Sequence, residues 1–393
     1  MTLHSLASRA RLNALTGARG PAALLVFAQH AGEAGFLPFV FPSSLAVSFF
    51  FVLSGFVLAY VYSDDTPLGF RFYRARFARI WPATILSTLL LLLILPHHFY
   101  LPQQLPHWTT GWILLTVIIL FQSLIPIPDF YFAFNAVTWS ISVEWCFYLV
   151  FPILNRGVRS RTIMTFICVA ILGVVLTLVS IQLQLPAFNS ARLAEPTWHG
   201  MVYINPATRL FEFVMGIFVG QLWLNQALRL RIVRIFDAVK QFNLALGETC
   251  LESFLLFSLI VILCFFVQIF SSDLSLSAPL QLLVFQWSSS VILACIVFVL
   301  ALGRGFIAKN VMSHPVMMRL GELSFGIYLF HQPILNWCKL QRSNAVTQPG
   351  IFVGLPQWVF AIMILTVTII LSAMSHDWFE KPARRYLRGS SKH

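Results

Sequence analysis

Arg19 and His30 lie eleven positions apart in RGPAALLVFAQH, a stretch that is otherwise almost wholly apolar. At about 100° per residue, eleven steps return to nearly the same face of a helix, and at about 1.5 Å each they rise about 16 Å. The spacing therefore predicts Arg19 near one membrane surface and His30 near mid-depth of a hydrocarbon core about 30 Å thick. An ionisable group at that depth costs at least ~2.5–3.5 kcal/mol and usually marks function. A neutral imidazole can take a proton from a hydroxyl at physiological pH. A guanidinium can hold an anion. The alternative is structural: an arginine snorkelling at a helix end and a histidine satisfied by a neighbouring carbonyl.

Other ionisable residues interrupt apolar segments. Glu144 lies in WSISVEWCFYLVFP, Arg209 and Glu212 in RLFEFVMGIFVG, and His331 in LGELSFGIYLFHQP. Arg209 and Glu212 stand at i, i+3 and can pair on one helix face, either as a self-neutralised structural pair or as part of a pocket. If these groups converge with Arg19 and His30, they enclose a polar cavity in which a carboxylate orients the histidine and stabilises its imidazolium. The basic run RFYRARFARIW suits an anionic ligand, because arginine grips phosphate with paired N–H donors; it also serves as a topology signal. Ser54-Gly55 in SFFFVLSGF reads as close helix packing through small residues.

The elements that must position these groups are membrane spans. The chain has 393 residues, of which 58% are hydrophobic and 10% charged; a soluble domain carries roughly 25% charged residues. Apolar windows occur near 20–38, 43–62, 80–96, 110–127, 138–154, 162–183, 205–226, 250–271, 283–303, 320–340 and 354–375. Clusters around Arg9, Arg74, Arg159, Arg231, Arg304 and Arg385 follow or precede these windows. The positive-inside rule places all of them in the cytoplasm, which holds only if 110–127 does not cross. Its flanks contain several prolines and no Lys or Arg, so it is expected to be a re-entrant or peripheral helix on the outer side. The expected fold is an all-α, polytopic transmembrane bundle of about ten crossings plus that helix, with both termini cytoplasmic. Lys339 and Arg342 then fall outside, against the rule.

The layout expected is a cytoplasmic tail over 1–18, a transmembrane domain over 19–375 and a basic cytoplasmic tail over 376–393 that favours an anionic leaflet. The opening residues lack a small-residue cleavage site and are read as mature chain rather than signal peptide. Six cysteines show no CxxC and no metal-ligand spacing, so they read as small core residues and no metal is expected. The net charge of +12 sits in loops, so nucleic acid is not an expected partner. No Walker A, GxSxG or HExxH motif occurs, which argues against a P-loop nucleotidase, an elbow-type hydrolase and a zinc protease. A proton-coupled transporter or flippase is the competing class, since buried charge also suits ion pathways; no half-chain repeat supports it.

Taken in order, the segments resemble acyltransferase family 3, the membrane O-acyltransferases of bacterial glycans and other extracytoplasmic acceptors. The family's first helix carries Arg and His, here Arg19 and His30. FFxxSGF follows as FFFVLSGF, RxxRIxP as RFARIWP with Arg76 and Arg79, and WSLSVE as WSISVE with Glu144. RxxEFxxG follows as RLFEFVMG, SYxxYLxH as SFGIYLFH with Tyr328 and His331, and ExP as Glu380-Lys381-Pro382. The resemblance spans nearly the whole chain. Thr16 stands where the family often has Asp, and Phe325 replaces a tyrosine. Some relatives add a soluble esterase-like domain, and this chain is expected to act without one in cis.

The resemblance implies acyl transfer from a cytoplasmic thioester, acetyl-CoA above all, to a hydroxyl of a carbohydrate such as an exopolysaccharide or lipopolysaccharide sugar. The site is the bacterial inner membrane, and polysaccharide-synthesis proteins are the expected partners beside lipid. Arg76 and Arg79, with Arg19, are assigned to the acyl-CoA phosphates or the thioester. His30 is general base or acyl carrier, and Glu144 orients His30 or binds the acceptor. Arg209, Glu212, Tyr328 and His331 shape the substrate pocket. Trp139, Trp145 and Trp198 either stack on sugar rings or form an interfacial belt.

Overall fold

A computed structural model describes residues 3–40, 43–63, 69–97, 104–231, 277–303, 305–344 and 356–388, together with Arg234 and a few residues between 249 and 262. The expected span 250–271, Lys240, Arg304, most of the loop 341–353 and Lys392 lie wholly or largely outside the described residues. Those residues form helices, turns and no strand.

The helices are α1 (Leu3–Glu33), α2 (Ser44–Val61), α3 (Phe70–Ile94), α4 (Thr110–Ile118), α5 (Pro128–Tyr131) and α6 (Trp139–Ser160). After them come α7 (Thr162–Gln182), α8 (Pro206–Leu224), α9 (Ala278–Leu302), α10 (Pro315–Asn344), α11 (Gln357–Met374) and the short α12 (Lys381–Arg388). Seven helical segments among the described residues are long and apolar enough to cross a membrane. The chain is a polytopic helical membrane protein. Outside 110–127, each expected span within the described residues is met by one helix. α4, at nine residues, extends about 13 Å and is too short to cross a core of about 30 Å. Leu120 turns the chain back in the left-handed region (φ 62°), and Trp81 in the middle of α3 donates to the Ile118 carbonyl (3.0 Å). The chain thus reverses after a short helix.

α1 starts well before its apolar window. Ala14, Leu15 and Ala18 are buried, so the helix continues under the basic residues, and the stretch expected as a separate tail is continuous with it from Leu3. Its end is set by Gly35 at φ +75°, a conformation that costs glycine little. Arg19 consequently lies mid-helix, and His30 lies in the last turn.

α1 and α10 run parallel. A Cβ on Gly20 would meet Leu320 at 3.0 Å, Phe27 packs edge-on against His331, and Arg342 donates to the Gly35 carbonyl. α2 and α8 also run parallel and touch backbone to backbone: a Cβ on Gly55 would strike the Phe213 carbonyl, and one on Gly216 the Val52 carbonyl. The packing role read for the SGF segment is filled by Gly55. Arg159 at the end of α6 donates to the Ser63 carbonyl just past α2 (2.6 Å). That basic end also gathers the first turns of α3 and α7.

Candidate active site

Three groups of polar residues are built into this frame. The first lines a cavity of about 230 Å³ toward the basic end. Arg19 and Thr16 of α1, Ser54 and Phe51 of α2, Arg76 and Arg79 of α3, Glu144 and Tyr148 of α6, and Tyr328 of α10 face it. Ser54 Oγ donates to Glu144 Oε1 at 3.2 Å, and the Tyr148 hydroxyl donates to the same oxygen. Arg76 donates to the Tyr62 hydroxyl (3.2 Å) and lies over the rings of Tyr62 and Tyr148 at 5.5 and 6.0 Å. Three arginines against one carboxylate leave the cavity with excess positive charge, suited to an anion of more than one charge.

The second group lies where α1 ends. His30 Nδ1 lies 2.9 Å from Glu33 Oε2, and Gln29 Nε2 donates to Glu33 Oε1 at 2.7 Å. Gln29 Oε1 in turn accepts from the Ser43 backbone N–H at 2.5 Å, which ties the start of α2 to the end of α1. An imidazole whose Nδ1–H faces a carboxylate presents Nε2 as the basic nitrogen. The His30 ring stacks on His331 at 5.2 Å. His331 Nδ1 donates to the Ile327 carbonyl (3.0 Å), and its Nε2 is buried with no hydrogen-bond partner. Its neighbourhood is fixed by Pro333, inside α10. Proline has no N–H for the carbonyl four residues back. Asn135 supplies the missing donor to that Leu329 carbonyl at 2.9 Å.

The third group is the Arg209–Glu212 pair, 3.1 Å apart and fully buried on both sides. Ser48 donates to Glu212 at 2.7 Å. The Arg209 guanidinium lies over Phe51 and Tyr203 at 5.1 and 4.9 Å. Asn205 caps α8 by accepting from Ala207 N–H (2.9 Å), and Pro206 begins the helix. Together they set the pair's position one turn in.

Of the residues expected to act together, Arg19, Arg76, Arg79, Glu144 and Tyr328 share the cavity. His30, His331, Arg209 and Glu212 do not line it. Glu144 is not bonded to His30; its partners are Ser54 and Tyr148. The carboxylate on His30 is Glu33, one helical turn away, and the only sequence signal for it was the i, i+3 spacing in HAGE. Tyr328 joins the first two groups. It lines the cavity, its hydroxyl lies 2.6 Å from Ser140 Oγ and donates to the Val137 carbonyl, and its ring centre is 6.1 Å from that of His331. Trp139 is buried against Tyr203 and Trp145 packs on Phe77 at 5.4 Å, so both are packing residues. Trp198 adjoins His199, which burial, and secondarily Arg209, push down to a pKa of about 4.

Known acyltransferases resemble this chain. A family model described as an acyltransferase domain matches residues 12–375. Acyltransferase MdmB of Streptomyces mycarofaciens is 28% identical over 96% of this chain and 92% of its own length. The putative peptidoglycan O-acetyltransferase YrhL of Bacillus subtilis is 24% identical over 86% of the chain. The peptidoglycan O-acetyltransferase OatA of Listeria monocytogenes is 22% identical over 96% of it. The aligned region spans 50% of YrhL and 56% of OatA. No solved structure matches.

Proposed function

This chain belongs to the acyltransferase-domain family, and on that premise we propose that it carries an acyl group across the membrane, from a cytoplasmic acyl-CoA to a hydroxyl outside. The donor is acetyl-CoA. The acceptor is a carbohydrate hydroxyl of a cell-surface polysaccharide, in line with the peptidoglycan named for OatA and YrhL. The bundle sits in the bacterial inner membrane with about ten crossings and both termini in the cytoplasm, because the positive-inside rule assigns the basic end to that side. The basic tail over 376–393 lies against the inner leaflet.

The observation that carries the reading is the division of labour along the bundle. The arginine-lined cavity lies toward the basic end, and the His30–Glu33 dyad, stacked on His331, stands at the other end of α1, with Tyr328 between. Arg76 and Arg79 hold donor phosphates, and Arg19 polarises the thioester carbonyl. His30 Nε2 takes the proton of the acceptor hydroxyl, while Glu33 fixes its tautomer and balances the imidazolium. The buried Arg209–Glu212 pair supports the wall behind Tyr203 and Phe51.

The experiment is direct. Purified protein is incubated with radiolabelled acetyl-CoA and candidate polysaccharide acceptors, and label is followed into the glycan by mass spectrometry. Acceptor-dependent CoA release supports the reading. Absence of transfer to every hydroxyl acceptor, with the donor bound, rejects it.

A further inference from the structure

Ser54 departs from a common habit of hydroxyls in these helices. Thr84, Thr177, Thr368 and Ser372 each donate to the carbonyl four residues back in their own helix. That is the ordinary refuge of a serine or threonine hydroxyl in a helix. Ser54 turns its Oγ into the cavity and donates to Glu144. Its neighbour Gly55 faces the opposite way, onto α8, so the SGF segment divides into a packing residue and a cavity residue. Along α2 the cavity runs from Leu58 to Val47, about 16 Å at 1.5 Å per residue. Ser54 stands near its middle. A hydroxyl hydrogen-bonded to a carboxylate, beside cationic groups, has the form of an activated nucleophile.

We propose that Ser54 takes the acyl group from the donor and holds it as an ester midway along the cavity. The inference rests on the thioester-donor reading above and adds a covalent intermediate to it. Ser54 Oγ attacks the thioester carbonyl carbon, and its proton passes to Glu144. The new C–O bond forms as the C–S bond breaks, and CoA leaves as the thiolate toward the basic end. The Arg19 guanidinium faces the same space and stabilises the oxyanion of the tetrahedral state. An acceptor hydroxyl then attacks the ester from the Tyr328 side. Its proton goes to solvent, the Ser54 C–O bond breaks, and Glu144 returns its proton to Ser54. The sum is thioester plus alcohol giving ester, thiolate and one proton. A stored ester also lets the thiolate depart before the acceptor arrives, so the two substrates never meet.

The test uses full-length protein and radiolabelled acetyl-CoA without acceptor, quenched rapidly and read by intact mass and peptide mapping. The expected result is one acetyl group on the peptide carrying Ser54, stable to neutral hydroxylamine and released by alkali. S54C should carry a thioester that neutral hydroxylamine releases. S54A should lose the label and lower turnover roughly 10³-fold or more, with acetyl-CoA still bound in calorimetry and an unchanged size-exclusion profile. Acyl groups found instead on His30 or Tyr328, or unlabelled wild-type protein that binds donor and turns over, would overturn the intermediate and leave the transferase reading intact. Folded S54A with wild-type turnover would do the same. Wild-type protein that fails to bind acetyl-CoA would bring down the donor reading and this inference together.

Discussion

The imidazoles of His30 and His331 stack 5.2 Å apart with their planes 20° from parallel. The Ile327 carbonyl takes the Nδ1 hydrogen of His331, which fixes that ring beside His30. Two stacked cations would repel, so the stack has room for one proton, and the proposed base is the ring that Glu33 contacts. H30A should therefore cut acyl transfer by about 10²–10⁴-fold with acetyl-CoA affinity unchanged. E33Q should give a smaller loss, in kcat rather than in donor KM. Steady-state kinetics on both variants checks this.

Arg76 and Arg79 are assigned to the donor. R76E and R79E should each weaken acetyl-CoA binding by on the order of tenfold to a hundredfold, the range expected for losing one hydrogen bond to a charged group. Acceptor affinity should stay constant. Calorimetry with CoA separates the two effects.

The Arg209–Glu212 pair is buried completely. Removing one partner leaves an uncompensated charge, which costs about 3–5 kcal/mol. R209M should therefore lower the melting temperature in detergent sharply. The double variant R209M/E212L should recover most of that loss and retain turnover, because the pair lies outside the cavity. Recovery of stability without activity would give the pair a direct part in binding.

Gly55 and Gly216 let α2 and α8 meet backbone to backbone. G55V or G216V should force the helices apart at a cost of about 1–3 kcal/mol and reduce the folded yield. A fluorescence size-exclusion assay reads this directly.

Much of this was legible in the sequence. The helices of the bundle follow from apolar length, and the proline-flanked window 110–127 holds a helix of only nine residues. Of the residues read as donor, catalytic and pocket groups, Arg19, Arg76, Arg79, Glu144 and Tyr328 share one cavity, whereas His30, Arg209, Glu212 and His331 lie outside it. Two facts escaped. Periodicity gives a residue's face but not where a helix begins or ends, so it did not show that His30 stands in the last turn of α1. Periodicity also does not give the azimuth of one helix against another. The carboxylate nearest His30 was therefore sought on α6, although Glu33 stood three residues away. The aim of Ser54 into the cavity depends on how α2 rolls against α8, which no single-helix pattern records.

The claim at the centre of this account is that donor and acceptor are used from opposite faces of the membrane. Oriented proteoliposomes, with acetyl-CoA confined to the side of the basic end and the hydroxyl acceptor to the other, test it most directly. Acceptor acylated across the sealed bilayer, and not when the two substrates are exchanged between sides, is the result expected. Acylation only when both substrates occupy one compartment would contradict it.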